Sequence, residues 1–130
     1  MGKLILLVDD DPEILRMTND ILGALGHYVV SVSDYYSALA VWSDRQGRFD
    51  LAVLDYILQD RSGVELAEYF WSEKPDLPII LTTGFVAELL PIEDALRERL
   101  RFLDKPFAVA RLRQMVTETF LSQNGNEKKI

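Results

Sequence analysis

No cysteine occurs in the 130 residues, so disulfides, thiolate metal sites and a cysteine nucleophile are excluded. Histidine occurs once, His27 beside Gly26, a setting that reads as a turn or surface position rather than a catalytic one. The wholly apolar runs are a handful of residues long, Leu4–Val8 among them, where a membrane span needs roughly 20. Met1-Gly2-Lys3 leads straight into that run and not into a signal peptide. These absences predict a cytoplasmic chain without membrane insertion. Positive charge is also scarce, 14 Lys and Arg against 21 Asp and Glu for a net charge of −7, which argues against direct nucleic-acid binding. What is present, 48% apolar and 27% charged residues, suffices for one soluble domain around one core and excludes a disordered chain.

The charge is unevenly placed. Residues 1–96 carry six Lys and Arg against seventeen Asp and Glu, whereas residues 97–130 carry eight against four. The cations Arg97, Arg99, Arg101, Lys105, Arg111 and Arg113 therefore form a basic flank beside an acidic half, and the two suit different partners.

Apolar runs of strand length alternate with helical periodicities. Leu4–Val8 ends abruptly in Asp9, Asp10 and Asp11, as a buried parallel strand does when its carboxyl end opens into a site. Asp11 then caps a helix with Pro12 at its first position and Ile14, Met17, Ile21, Leu22 and Leu25 on one face, stopped at Gly26. Tyr28–Val32 is a second strand, and a helix capped by Ser33 or Asp34 runs to near Gly47. Leu51–Leu54 is a third strand closed by Asp55, followed by a loop over 56–62 and a helix over about 63–73. Ile79–Leu81 is a fourth strand, ended by Thr82, Thr83 and Gly84. Pro91 delays the fourth helix, 101–103 is a short fifth strand, and 107–121 is a last amphipathic helix before a polar, flexible tail over 122–130. Five such units require right-handed crossovers and a parallel sheet covered on both faces, with ligands bound beyond the carboxyl ends of the strands.

Those ends carry Asp9, Asp10, Asp55, Thr83 and Lys105. Clustered carboxylates repel one another unless a cation neutralises them, and an all-oxygen donor set favours a hard ion such as Mg2+. A carboxylate fixed at a buried strand end, as Asp55 is, can act as a nucleophile towards phosphorus. The transferring phosphoryl group then needs metal, cation and hydroxyl, which Asp9 and Asp10, Lys105 and Thr83 would supply.

The arrangement resembles the receiver domain of two-component response regulators along residues 3–121. The segments that carry the resemblance are 4–11 with its acidic run, 50–55 ending in Asp55, Gly63 eight residues on, 78–84 with Thr83, and 102–107 with Phe102, Lys105 and Pro106. It implies a flavodoxin-like (βα)5 three-layer sandwich with a parallel five-stranded sheet of order 2-1-3-4-5, and a receiver domain over 1–121. It further implies phosphoryl transfer from a histidine kinase or histidine phosphotransfer protein onto Asp55 with Mg2+, and later hydrolysis, with no separate turnover substrate. Asp10, Asp55 and the Ile57 backbone carbonyl would hold the ion directly and Asp9 largely through water. A cis bond before Pro106 would aim Lys105, and Thr83 and Phe102 would act as the switch. The fourth helix, fifth strand and last helix would form the output face and a weak homodimer contact. Leu77–Phe85 resembles receivers of hybrid sensor histidine kinases more than receivers fused to DNA-binding domains. Gln59 stands where the family has proline, which predicts a less rigid loop, and Arg97-Glu98-Arg99-Leu100 replaces the family's glycine-alanine pair.

Rival functions make different demands. A degenerate receiver serving only as a binding or dimerisation module would not need all five polar positions. A magnesium-dependent phosphohydrolase would need an aspartate two residues after Asp55, where Ile57 stands. A flavin protein would need a phosphate-cradling loop after the first strand, where three aspartates would repel phosphate.

Overall fold

The computed structural model describes residues 2–59 and 61–128. In chain order the first elements are β1 (Leu4–Val8), α1 (Pro12–Ala24), β2 (Tyr28–Val32), α2 (Tyr35–Asp44) and β3 (Leu51–Asp55). A short pair, β4 (Ile57–Leu58) and β5 (Arg61–Ser62), precedes α3 (Gly63–Glu73) and β6 (Ile79–Thr83). A 3-10 turn (Ala87–Leu89), α4 (Asp94–Arg99), β7 (Leu100–Asp104) and α5 (Val109–Lys128) complete the chain.

The sheet is parallel with order β2-β1-β3-β6-β7. Counting only its own five strands, that is the expected 2-1-3-4-5 order. Period-two alternation divides each inner strand between two cores. Leu6, Val8, Ala52, Leu54, Ile79 and Leu81 face α2 and α3, where Trp42 and Phe70 stack with ring centroids 4.1 Å apart. Ile5, Leu7, Leu51, Val53 and Ile80 face α1 and α5, against Leu22, Leu112, Val116 and Phe120. Because β1, β3 and β6 are covered on both sides, their sequences read as unbroken apolar runs.

Local chemistry sets the helix starts. Asp11 accepts hydrogen bonds from the Glu13 and Ile14 amides (3.0 and 3.3 Å) with Pro12 at the first helical position, and Asp34 rather than Ser33 caps α2 through the Ser37 amide (2.7 Å). Several boundaries differ from the sequence reading. Helix α2 stops at Asp44, because Gln46 and Gly47 enter left-handed backbone (φ 56° and 68°) ahead of β3. Pro91 has no amide to donate and keeps Leu90 extended (ψ 141°), so α4 shrinks to 94–99 behind a separate 3-10 turn. Strand β7 gains a residue at each end because its ladder with β6 runs from Ile79↔Leu100 to Thr83↔Asp104. Helix α5 continues past Leu121 to Lys128; of the tail expected over 122–130, residues 129–130 lie outside the described residues. The loop over 56–62 contains the antiparallel pair β4–β5, with Ile57↔Ser62 and Leu58↔Arg61. Among the described residues no helix is long and apolar enough to cross a membrane.

Candidate functional site

Asp9, Asp10, Asp55, Thr83 and Lys105 meet at the carboxyl ends of the sheet's strands. Asp9 follows β1, and its Oδ1 accepts a hydrogen bond from the Asp11 amide at 2.9 Å. Asp55 ends β3 and Thr83 ends β6, and both are buried. Lys105 follows β7, and its amide donates to the Thr83 carbonyl at 2.7 Å. The Lys105–Pro106 peptide is cis. Its ammonium lies 2.8 Å from Asp9 Oδ2 and 3.1 Å from Asp55 Oδ2, bridging two carboxylates that are 46 residues apart in sequence.

One carboxylate oxygen from each of Asp9, Asp10 and Asp55 falls within 4.8 Å of the others. This triad of hard oxygen donors is suited to Mg2+, and one lysine cannot balance three carboxylates. The repulsion shows in Asp55, whose carboxyl is pushed up to about 6 by burial first and then by the Asp9 and Asp10 charges, with Lys105 pulling only partly the other way. Burial lowers the Lys105 ammonium, but its hydrogen bond to Asp9 and the charges of Asp55 and Asp9 outweigh that, so the net shift is upward and it stays protonated.

A cleft of about 240 Å3 opens over these groups, lined by Asp10, Asp55, Ile57, Thr83, Phe85 and Lys105. Thr83 Oγ1 accepts from the Phe85 amide at 3.0 Å, which leaves its hydroxyl proton free to be donated. Gly63 explains itself here. Its amide donates to the Tyr56 carbonyl at 2.8 Å, and a Cβ at this position would overlap the Asp55 carbonyl oxygen. The glycine eight residues after Asp55 therefore lets the start of α3 close against the end of β3.

Phe102 lies outside the cleft. The register Leu81↔Phe102 and Thr83↔Asp104 puts it on the same sheet face as Thr83, one step back along β6–β7, where it is half-buried. The basic flank also differs from the sequence reading. Arg97 donates to the carbonyls of Ala87 and Leu90, and Arg99 donates to the Pro75 carbonyl and lies 4.0 Å over Trp71, so neither is a free surface charge; Arg101 and Arg111 are exposed. His27 is half-buried in the turn before β2, where its Nδ1 accepts from the Lys3 amide at 3.2 Å and its ring lies 5.2 Å from Phe120, far from the cleft.

Two features of the site were not apparent from sequence. Tyr56 and Phe85 meet edge to face at 6.4 Å on the cleft rim, and the segment after Asp55 is a hairpin. The sequence between its two strands lacks the Asn-Gly or Asp-Gly signature that marks two-residue hairpins, so only the pairing reveals it.

A family model described as the response regulator receiver domain matches residues 5–117. The chain is 34% identical over 117 residues to the response regulator receiver protein CpdR of Brucella abortus, covering 89% of this chain and 92% of that one. It is 32% identical over 127 residues to TcrX of Mycobacterium tuberculosis, described as a probable transcriptional regulatory protein, covering 88% of this chain and 50% of that one. The chain thus spans half the length of the mycobacterial relative. Among solved structures, a CheY-like response regulator receiver domain protein from Methanospirillum hungatei superposes with a TM-score of 0.82 at 28% identity, covering 97% of this chain and 99% of that one.

Proposed function

Because this chain belongs to the response regulator receiver domain family, a class of Mg-dependent phosphoacceptor signalling modules, we propose that Asp55 is its phosphoryl acceptor and that the donor is a phosphohistidine on a histidine kinase or phosphotransfer protein. The observation that carries the reading is the convergence on Asp55 of the Lys105 ammonium and two further carboxylates within one cleft that Thr83 also lines.

The geometry supports the following roles. An Asp55 oxygen attacks phosphorus as the bond to the donor's imidazole nitrogen breaks, leaving an acyl phosphate on the carboxyl and a neutral imidazole once that nitrogen holds a proton. Lys105, already 3.1 Å from Asp55, moves its contact from carboxylate to phosphoryl oxygen. Thr83 donates its free hydroxyl proton to another phosphoryl oxygen, so charge on the transferring group meets a cation and a donor held on separate strands. Asp10, Asp55 and the Ile57 carbonyl would hold Mg2+, while Asp9, already engaged by Lys105 and the Asp11 amide, would contribute largely through water. When bound, the ion would offset the carboxylate repulsion and the negative charge of the phosphoryl group. Ile57 and Phe85 flank the cleft with apolar side chains 44% and 55% exposed, so neither orients an attacking water and the acyl phosphate persists.

Thr83 and Phe102 form the switch, read out on the surface of α4, β7 and α5, which also serves a weak homodimer. The test is direct. Incubation with Mg2+ and acetyl phosphate is expected to add one phosphoryl group, by intact mass, and Asp55→Asn to remove it; equal labelling of the variant would sink the assignment.

A further inference from the structure

The hairpin after Asp55 is held from outside by one side chain. Its base is fixed where the Tyr56 amide donates to the Thr82 carbonyl and Gly63 donates to Tyr56 (both 2.8 Å), and buried Leu58 anchors its inner face. Its second strand carries Arg61, whose guanidinium donates to Tyr36 Oη at 2.9 Å and to Glu65 Oε2 at 3.0 Å. The same group lies 4.9 Å from the Tyr35 ring and 5.6 Å from the Tyr36 ring. Tyr35 and Tyr36 form the first turn of α2, set there by the Asp34 cap, and Glu65 is in the first turn of α3. A single guanidinium therefore ties the hairpin to two helices that begin beside the site. Beneath the tie is a cavity of about 280 Å3 lined by Asp10, Ser33, Tyr35, Leu58 and Gln59, so the tied wall reaches the acidic triad itself.

We propose that Arg61 is a positioning residue for the metal site: by clamping β4–β5 to α2 and α3, it holds the Ile57 backbone carbonyl at the cleft. This rests on the reading of that carbonyl as a metal ligand. Ile57 pairs with Ser62, the neighbour of Arg61, in a two-by-two ladder, so a shift of Arg61 is passed across the hairpin. A pair this short has little stability of its own. The clamp thus supplies rigidity that a proline at position 59 cannot, since Gln59 sits at φ 61° and a proline ring holds φ near −65°.

The sign of one measurement separates positioning from simple electrostatics. Arg61 is a cation near a cation site, so if charge alone mattered, Arg61→Ala would bind Mg2+ more tightly. Positioning predicts the reverse: about three- to tenfold weaker binding, the range that an exposed ion pair and a cation–π contact together support. The experiment is a titration of the unphosphorylated protein with MgCl2, followed by backbone amide and carbonyl shifts of Asp10, Ile57 and Leu58. Arg61→Ala is expected to weaken binding with a thermal midpoint close to wild type. Tyr36→Phe, which removes one oxygen and no charge, is expected to weaken it about twofold, and Arg61→Lys to restore part of the loss. Unchanged or tighter binding in both Arg61→Ala and Tyr36→Phe overturns the proposal. If the wild type itself shifts Asp10 but not the Ile57 carbonyl, the ligand reading falls instead, and the clamp's role with it. Should Arg61→Ala fail to fold, the Tyr36→Phe titration decides alone.

Discussion

The Arg97 guanidinium lies 5.9 Å from the centre of the Phe102 ring while its two terminal nitrogens donate to the Ala87 and Leu90 carbonyls at 2.6 Å each. Phe102 is thus covered by a side chain that also pins the 3-10 turn after Thr83. In the proposed switch, an inward turn of Phe102 would therefore disturb the contact that holds that turn. Removing two charge-assisted hydrogen bonds, worth roughly 1.5–3 kcal/mol each when well formed and less here because the group is only half-buried, frees the segment. Arg97→Ala is expected to speed amide exchange over residues 86–92 about tenfold or more and to leave exchange in β1 and β3 unchanged. Protection identical to wild type would make the guanidinium a passenger.

Asp55 sets a pH dependence of the metal-free protein. Its folded carboxyl titrates at about 6, above its ordinary value near 3.8, so the folded state binds this proton more tightly than the unfolded chain. The resulting stability is fully present below pH 3.8 and is lost as pH rises through 6. Urea midpoints without Mg2+ are therefore expected to carry a downward contribution from Asp55 between pH 5 and pH 7. Asp55→Asn, which cannot titrate, removes that contribution, and millimolar Mg2+ recovers stability at pH 7. A slope between pH 5 and 7 equal in wild type and variant would contradict the assignment.

Gln59 in left-handed backbone sets opposite expectations for two small substitutions. Gln59→Gly relieves the Cβ contact but loosens the unfolded chain, so its net effect stays within about 1 kcal/mol. Gln59→Pro forces φ to the other side and is expected to cost about 2 kcal/mol or more, with slower labelling by acetyl phosphate. Denaturation curves for the pair, with equal midpoints as the contrary result, check this.

Ile57 lines the cleft with an exposed apolar side chain. Ile57→Asn, which places a hydrogen-bonding group in the cleft beside Asp55, is expected to change the decay rate of the acyl phosphate several-fold without preventing its formation. Identical decay would disconnect the side chain from hydrolysis.

Lys105 bridges Asp9 and Asp55, and its removal has two consequences of opposite sense. Lys105→Ala leaves the carboxylates without their cation, so Mg2+ is expected to bind more tightly while phosphoryl transfer slows by a factor of ten or more. Calorimetric titration alongside labelling rates separates the two, and weaker Mg2+ binding would show that the lysine shapes the site rather than its charge.

Much of this molecule was legible locally. Three apolar runs, each ended by a polar residue, and two shorter strand segments pointed to the parallel sheet and to the carboxyl ends at which Asp9, Asp10, Asp55, Thr83 and Lys105 collect, because burial on both faces and helix capping leave their marks within a few neighbouring residues. Gly63 and Pro91 likewise declared themselves, since a close approach and a missing amide are properties of single residues. Tertiary structure decided the rest: that Arg97 and Arg99 bind carbonyls instead of forming a free basic rim, that 57–62 pairs as a hairpin, and that Arg61 reaches Tyr36 across 25 residues of chain. A guanidinium on a flexible stem fits many acceptors of nearly equal energy, and a two-residue ladder carries almost no propensity of its own. Their outcome is fixed only when the sheet and helices have brought distant carbonyls, rings and carboxylates within reach.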